Sequence, residues 1–147
     1  MTDASVATAY AVPIELRLRY AHGLGGLSPY FAGLERGAAM ATRCSECSHT
    51  WYAPRLSCLC GNRVLEWVQL SGRGVIVALT RARATLPATQ ITGAFVFALI
   101  RLDGADNRCF GRLGGATAEL TAGSAVRLRR AEGSWPHPAQ CAEYVAD

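Results

Sequence analysis

The chain has 147 residues, of which half are hydrophobic, and it carries a formal net charge of +4. This length and composition predict one folded domain with at most a small metal-dependent appendage, and they exclude a disordered chain. We find neither a signal-peptide pattern nor an apolar run of about 20 residues, so we expect a cytoplasmic protein with no membrane-spanning segment. The 15 basic residues are all arginine, which suits phosphorylated ligands, nucleic acid or an acidic partner without choosing among them.

Residues 1–27 form the first predicted unit, an N-terminal extension with one strand. Within it, residues 14–20 alternate between apolar or aromatic side chains on one face and charged side chains on the other, which is the pattern of a half-buried β-strand. This strand could close or cover a barrel formed by the rest of the chain, or it could pair with a sheet of a partner subunit. We favour the partner, because the strand precedes the other predicted elements rather than joining them.

Residues 28–41 are predicted to contain a short helix. Ser28 and Pro29 suit its first positions, because serine can accept hydrogen bonds from free N–H groups and proline has no N–H to lose. Gly37 suits its end. The large apolar side chains between these positions fall on one side of the helix, so we expect that side to face the core.

Residues 42–63 contain the strongest signal in the sequence, a CxxC pair and a CxC pair separated by ten residues. Two close thiol pairs suit one tetrahedral metal ion, and zinc is the natural occupant because it accepts sulfur ligands without a preference set by d-electrons. Four sulfur ligands leave no open coordination position, so the site would be structural. Two disulfides or four unrelated buried thiols are the alternatives, although nothing else in the sequence indicates an oxidising compartment.

Residues 64–147 are predicted to form an OB-fold. Short apolar segments are separated by glycine-containing turn signals with no long helix between them, and about five such strands suit a small closed barrel. The predicted strands are Leu65–Leu70, Gly74–Arg83, Ala94–Leu102, Arg108–Leu113, Ala125–Arg130 and Cys141–Val145.

Three aromatic residues and two further cysteines lie in these strands. Phe95, Phe97 and Phe110 occur in apolar runs, so we expect them to be buried. Cys109 and Cys141 have no adjacent motif that supplies a base or a helix N-terminus. We therefore expect small buried side chains rather than nucleophiles.

Several motifs follow one another in a specific order between residues 28 and 147. After the short helix they are Arg43-Cys44-x-x-Cys47, Trp51-Tyr52-Ala53-Pro54-Arg55, Cys58-x-Cys60-Gly61, Ser71-Gly72-Arg73-Gly74-Val75 and Leu120-x-x-Gly123-x-x-Val126. This order resembles the thiolase-associated family that joins a rubredoxin-like zinc ribbon to an OB-fold. The expected fold class is therefore mainly β, with an N-terminal strand, a short helix, a zinc ribbon and a five-stranded OB barrel.

The resemblance also implies a function. Members of the family are generally non-catalytic partners of thiolases, hydroxymethylglutaryl-CoA synthases, acyltransferases and side-chain aldolases that act on coenzyme A (CoA) esters. It implies an accessory subunit that helps to bind CoA and docks on a thiolase-fold catalytic subunit, most simply as a heterotetramer. Catalytic residues would then lie on the partner, and we favour a bulky or aromatic acyl-CoA as the substrate. The implied ligands of a structural zinc ion are Cys44, Cys47, Cys58 and Cys60.

Arginines are the expected contacts to the phosphates of CoA, because a guanidinium group can bind phosphate through two parallel hydrogen bonds. Arg55 follows the proline of the ribbon, and Arg81 and Arg83 lie at the end of the first long barrel strand. The alternative for each of them is a solvated surface charge.

A single-stranded nucleic-acid-binding module is the rival interpretation, since OB-folds can stack bases on exposed aromatic side chains. The predicted burial of the three phenylalanines argues against it. So does the lack of a basic cluster larger than Arg127, Arg129 and Arg130.

Overall fold

The computed structural model describes residues 14–82 and 95–147. Arg83, one of the three arginines expected to contact CoA, lies outside the described residues. None of the helices in these two ranges is long and apolar enough to cross a membrane. The main elements are α1 (Ser28–Glu35), β1 (Ala39–Cys44), β2 (Thr50–Trp51), β3 (Leu65–Leu70), β4 (Arg73–Ala82), β5 (Phe95–Leu102), β6 (Cys109–Leu113), β7 (Ala125–Arg130) and β8 (Ala142–Ala146), with 3-10 turns at Gly25–Leu27 and Pro138–Gln140.

Strands β4 to β8 form a closed barrel with the strand order β4-β5-β6-β8-β7. Neighbouring strands are antiparallel except β6 and β8, which are parallel. Ile76, Ile100 and Val126 come from three of these strands and are almost completely buried. Together with the single short α-helix of the described residues, the barrel confirms the predicted mainly β class and its five-stranded OB-fold.

Strand β1 lies at the centre of a second sheet, which has three strands in the order β2-β1-β3. It pairs with β3 along its whole length, from Ala39 opposite Leu70 to Cys44 opposite Leu65. The bounds of β3 are those predicted, but the sequence analysis placed this strand with the barrel, and that placement needs correction. Hydrophobic patterning specifies which face of a strand is buried and does not identify the strand beside it.

Helix α1 packs against the barrel through Leu34, which is buried in the same core cluster as Ile76 and Ile100. The predicted capping role of Ser28 is wrong, because its hydroxyl donates to the carbonyl oxygen of Gly25 at 2.7 Å and caps no N–H group. The predicted end is confirmed: Gly37 has a φ of +70°, and its N–H donates to the carbonyl oxygen of Leu34 at 3.0 Å.

The N-terminal strand expected at residues 14–20 is not a strand in the structure. Its apolar side chains are mostly exposed, by 75% for Leu18 and 88% for Ile14. An alternating pattern describes a segment that could be half buried, but a strand also needs a neighbouring strand to satisfy its N–H and C=O groups. No described residue of this chain supplies that neighbour.

Candidate metal site and the adjoining pocket

Four sulfur atoms meet at one end of the three-stranded sheet. The Sγ atoms of Cys44, Cys47, Cys58 and Cys60 all lie within 4.8 Å of one another. Cys44 and Cys60 are 3.6 Å apart, and Cys47 and Cys58 are 3.5 Å apart. Zinc–sulfur bonds of about 2.3 Å in a tetrahedron place sulfur atoms about 3.8 Å apart, whereas a disulfide needs about 2.05 Å. The cluster therefore fits a tetrahedral metal ion such as zinc and contains no disulfide.

Two tight turns present the cysteine pairs. In the first, the N–H of Ser48 donates to the carbonyl oxygen of Cys44 at 3.0 Å. In the second, the N–H of Gly61 donates to the carbonyl oxygen of Cys58 at 3.1 Å, and Gly61 has a φ of +95°, which glycine adopts without a steric cost. The CxC pair has one residue fewer between its cysteines than the CxxC pair. This turn compensates for the difference, because it brings the sulfur of Cys60 to the cluster.

The amide of Asn62 connects the two turns. Its Nδ2 donates to the sulfur of Cys44 at 3.4 Å and to the hydroxyl of Ser45 at 2.9 Å. The pKa of the Cys44 thiol is lowered to about 6, mainly by the backbone N–H of Cys47 and further by Asn62. The pKa of the Cys58 thiol is lowered mainly by the backbone N–H of Cys60. Groups that favour a thiolate in this way also favour metal binding, because the ligand is the deprotonated sulfur.

The other two thiols have raised pKa values. The backbone N–H of His49 lowers the pKa of Cys47, but the sulfur of Cys58, burial and the remaining thiols outweigh it and raise the pKa to about 12. For Cys60, the neighbouring sulfur of Cys58 likewise outweighs the backbone N–H of Asn62. Four thiolates therefore repel one another until a cation compensates their charge, so the donor set calls for a metal ion.

Trp51 links the sulfur cluster to the rest of the molecule. Its indole is buried together with Cys44 and Cys58, and the guanidinium carbon of Arg55 lies 4.9 Å from the ring centroid. The position of Arg55 is fixed by its backbone, since its N–H donates to the hydroxyl of Thr42, which in turn donates to its carbonyl oxygen, both at 3.1 Å. The loop after β2 is therefore held in one conformation over the sheet.

The loop between β5 and β6 ties this ribbon to the barrel. The carboxylate of Asp106 accepts a hydrogen bond from the N–H of Thr50 at 2.8 Å. The side chain of Asn107 pairs with both backbone groups of Tyr52, accepting from its N–H at 2.8 Å and donating to its carbonyl oxygen at 2.7 Å. These contacts fix the ribbon beside the mouth of a pocket.

The pocket has a volume of about 680 Å³ and lies between α1, the ribbon and the barrel. Aromatic side chains from all three regions line it, and three arginines lie on its wall or at its rim. The aromatic residues include Tyr30, Trp51, Tyr52, Phe97, Trp135 and Tyr144, and the arginines are Arg55, Arg108 and Arg112.

The structure separates the arginines that the sequence grouped together. Arg55 lines the pocket. Arg81 does not, and its Nη2 donates to the carbonyl oxygens of Thr117, Ala118 and Leu120 at 2.9 to 3.3 Å, so this nitrogen holds a loop of the barrel. Sequence reasoning missed Arg108 and Arg112, although both lie two residues from Phe110 in the predicted strand 108–113, where such positions share a face.

The expected burial of the three phenylalanines is correct for Phe95 and wrong for Phe110, and Phe97 is half-buried. Phe110 is 69% exposed and stacks on Phe97, with ring centroids 5.3 Å apart and an interplanar angle of 15°. It occupies an outward position of β6, and an apolar run does not show which of its residues point outward. Cys109 and Cys141 are buried as expected.

A small antiparallel sheet that carries four cysteines, joined to a closed five-stranded barrel, defines this chain as a ribbon plus OB-fold protein. Residues 67–130 match the model of the family described as ChsH2, C-terminal OB-fold domain. This match supports the resemblance to the thiolase-associated ribbon and OB-fold proteins.

Two solved structures share the fold. One is described as "Ltp2-ChsH2(DUF35) aldolase"; it is 22% identical, with a TM-score of 0.65, and the match covers 86% of this chain and 96% of that chain. The other is a protein of unknown function from the DUF35 family of Sulfolobus solfataricus; it is 15% identical, with a TM-score of 0.61, and the match covers 84% and 87%. No curated protein matches the sequence.

Proposed function

We propose that this chain is a non-catalytic accessory subunit of a thiolase-type complex that acts on acyl-CoA thioesters. The observation that carries the proposal is the match of residues 67–130 to the ChsH2 OB-fold family. It is supported by the shared fold with a structure described as an aldolase that contains ChsH2. The chain would assemble with a thiolase-fold catalytic subunit in the cytoplasm, most simply as a heterotetramer, and would help to bind a bulky or aromatic acyl-CoA.

The thiols outside the sulfur cluster support a non-catalytic role. Burial raises the pKa of Cys109, and its sulfur lies 3.4 Å from the hydroxyl of Tyr144 rather than beside a base. The sulfur of Cys141 donates to the carbonyl oxygen of Pro138 at 2.8 Å. A nucleophilic cysteine needs an adjacent base. Among the described residues, the hydrogen-bond partners of these two thiols are the hydroxyl of Tyr144 and the carbonyl oxygens of Pro138 and Leu34, none of which is a base.

The sulfur cluster would bind zinc and have a structural role. Zinc held by Cys44, Cys47, Cys58 and Cys60 would fix the loop that carries Trp51 and Arg55. Arg55 would then contact the phosphates of CoA at the rim of the pocket. Arg81 is the weaker of the two described candidates, because part of its guanidinium group already binds the barrel loop.

The exposed residues 14–20 support docking on a partner. Their apolar side chains face solvent, and an added strand on another subunit would bury them. Replacing Leu16 and Leu18 by serine should weaken partner binding and leave the stability of the isolated chain unchanged. In the control variant, Arg17 and Arg19, which alternate with the two leucines, are replaced instead. An unaltered complex in the leucine variant would show that the segment is dispensable.

The rival function, binding of single-stranded nucleic acid, has one observation in its favour. Phe110 is exposed and stacks on the half-buried Phe97 on the barrel, and OB-folds stack bases on exposed aromatic side chains. The measurement that separates the two functions is a pull-down of the tagged chain from its native host, with identification of bound proteins and determination of zinc. A stoichiometric thiolase-fold partner with about one zinc per chain is expected. Recovery with nucleic acid, bound in a salt-dependent manner, would support the rival function.

A further inference from the structure

The pocket between α1, the ribbon and the barrel lies along one edge of strand β6. Four consecutive residues of this strand line it, and they are Cys109, Phe110, Gly111 and Arg112. The side chains of consecutive residues in a strand point to opposite faces of the sheet. A pocket that touches every residue of such a run therefore reaches the edge of the strand, where the backbone is accessible.

This edge of β6 is free of a neighbouring strand over most of its length, as far as the described strands go. Strand β5 occupies the other edge and pairs with β6 along its whole length, whereas β8 reaches the pocket side only where Leu113 pairs with Tyr144. The N–H of Gly114 marks the direction of that side, since it donates to the carbonyl oxygen of Tyr144 at 2.8 Å. Every second residue of a strand directs its N–H and C=O to the same edge, so those of Phe110 face the pocket.

The pocket is wide enough for an added strand. The usual spacings along a strand, between strands and between sheets give an extended residue a volume of roughly 160 Å³. The pocket volume of about 680 Å³ therefore accommodates about four extended residues. The opposite walls carry aromatic rings such as Tyr30 from α1 and Trp51 from the ribbon, against which apolar side chains of such a segment can pack.

The outward side chains along the free edge follow a pattern of charge, ring and charge. Arg108 and Phe110 are exposed and Arg112 is half-buried, whereas Cys109 between the first two is buried. Side chains that lie directly opposite each other on neighbouring strands interact, and opposite charges are favourable there. The matching segment therefore has acidic, apolar and acidic residues at alternate positions.

The net charge at this edge is positive. Among the described residues, Arg108 forms no ion pair, and no aspartate or glutamate lines the pocket. The Nη2 of Arg112 lies 3.1 Å from the carboxylate of Glu143, but Arg129 shares this carboxylate, with its Nη2 at 2.8 Å. One carboxylate thus faces two guanidinium groups, which leaves one positive charge uncompensated. A negatively charged segment is favoured over a neutral or basic one.

We propose that the free edge of β6 binds an extended acidic segment of a partner protein, which adds to the barrel as an antiparallel strand. Antiparallel pairs are the more stable kind per residue. In such sites main-chain hydrogen bonds supply the affinity and alternate side chains supply the specificity. Residues 14–20 of a second copy do not fit, because they contain two arginines and one glutamate. The inference goes beyond the proposed function and does not depend on it, since it assigns a protein segment to β6 and makes no use of Arg55.

The experiment titrates the purified, zinc-loaded full chain with the peptide acetyl-Asp-Val-Leu-Val-Asp-amide and follows the backbone amides by NMR. When its leucine lies opposite Phe110, its two aspartates lie beside Arg108 and Arg112. We expect one site per chain, a dissociation constant in the micromolar to millimolar range of a single short strand, and the largest shift at the amide of Phe110. The control peptide acetyl-Lys-Val-Leu-Val-Lys-amide should bind at least about tenfold more weakly, because it places like charges opposite each other.

Methylated peptides test the backbone pairing. N-methylation of the central leucine removes the N–H that would donate to the carbonyl oxygen of Phe110 and should weaken binding about tenfold. N-methylation of the first valine is the matched control. The N–H of that valine points away from β6 in an antiparallel pair, so we expect a much smaller effect.

Variants of the chain test the charge pattern. Arg108→Glu should weaken the aspartate peptide at least about fivefold and strengthen the lysine peptide. Arg101→Glu makes the same change at an exposed position of β5, on the other side of β6, and should affect both peptides less than about twofold. Phe110→Ala is an independent second variant, since the exposed ring can be removed without opening the core, and it should also weaken the aspartate peptide.

Four results would overturn the inference. They are the absence of saturable binding of the aspartate peptide, equal binding of the lysine peptide, undiminished binding after methylation of the leucine, and displacement of the peptide by a deoxythymidine decamer that binds more tightly. The last result would assign this edge to single-stranded nucleic acid instead. Recovery of a thiolase-fold partner beside any of the first three would leave the proposed function standing.

Discussion

The barrel is built around large aliphatic side chains, among them Ile76, Ile100 and Val126, which are at most 1% exposed. In the ribbon, by contrast, the buried cluster consists of Cys44, Trp51 and Cys58. Two of these three residues are candidate metal ligands, so the ribbon has little apolar surface to bury. The comparison shows how one chain can combine a region that folds by hydrophobic burial with a region that depends on an ion.

Replacing a cluster cysteine should have the largest effect. Structural zinc sites contribute roughly 10–16 kcal/mol of apparent binding free energy, most of which the ribbon would lose. We expect Cys44→Ser to lose zinc, to make residues 42–63 sensitive to protease and to leave the barrel folded. Zinc content and limited proteolysis measure this. Cys141→Ser, which changes a buried thiol outside the cluster, is the control and should retain zinc; full zinc in Cys44→Ser would contradict the site.

Truncation of a side chain in the barrel core should have the next largest effect. It should destabilise the barrel and leave the metal site of the ribbon intact. Ile100 is fully buried, and removal of such a side chain costs about 2–5 kcal/mol. Ile100→Ala should lower the free energy of unfolding in urea by that amount while one zinc per folded chain is retained. Loss of zinc in step with the unfolding of the weakened barrel, at urea concentrations where the wild-type chain retains zinc, would show that the ribbon depends on the core after all.

The connection between the two regions can be weakened without changing either interior. Asn107→Ala removes both hydrogen bonds to the backbone of Tyr52 and should cost about 1–3 kcal/mol. We expect faster amide hydrogen exchange in the ribbon than in the barrel of this variant. Asn107→Asp keeps the acceptor, so its rate of exchange in the ribbon should lie between those of the wild-type chain and Asn107→Ala. Equal exchange in these three proteins would mean that the contact does not couple the regions.

The smallest effect is expected at the rim of the pocket. Arg55→Ala should raise the Michaelis constant of the assembled complex for a CoA ester by about three- to tenfold, the loss of one exposed charged contact. Arg81→Ala should instead lower the stability of the barrel, because its Nη2 binds three carbonyl oxygens of one loop. Unchanged kinetics in Arg55→Ala would remove it from the CoA site.

Much of the fold could be predicted because it is encoded locally. The bounds of β3 and β7 coincide with the predicted ones, since turn residues flank both segments. The cysteine spacing likewise predicted that the two pairs meet, because each pair lies on its own short turn. The exposed position of Phe110 and the pairing of β3 with β1 were missed, because both depend on which elements become neighbours.

The sequence by itself determined the mainly β class, the cysteine cluster and the motif order that resembles the thiolase-associated family. These properties rest on spacing and composition within short segments. Only the tertiary structure decided that Tyr30, Tyr52 and Tyr144 share one pocket, that Arg55 faces it and that Arg81 does not. Residues far apart in the chain meet there because the ribbon, the helix and the barrel pack together, and local sequence patterns do not specify such long-range contacts.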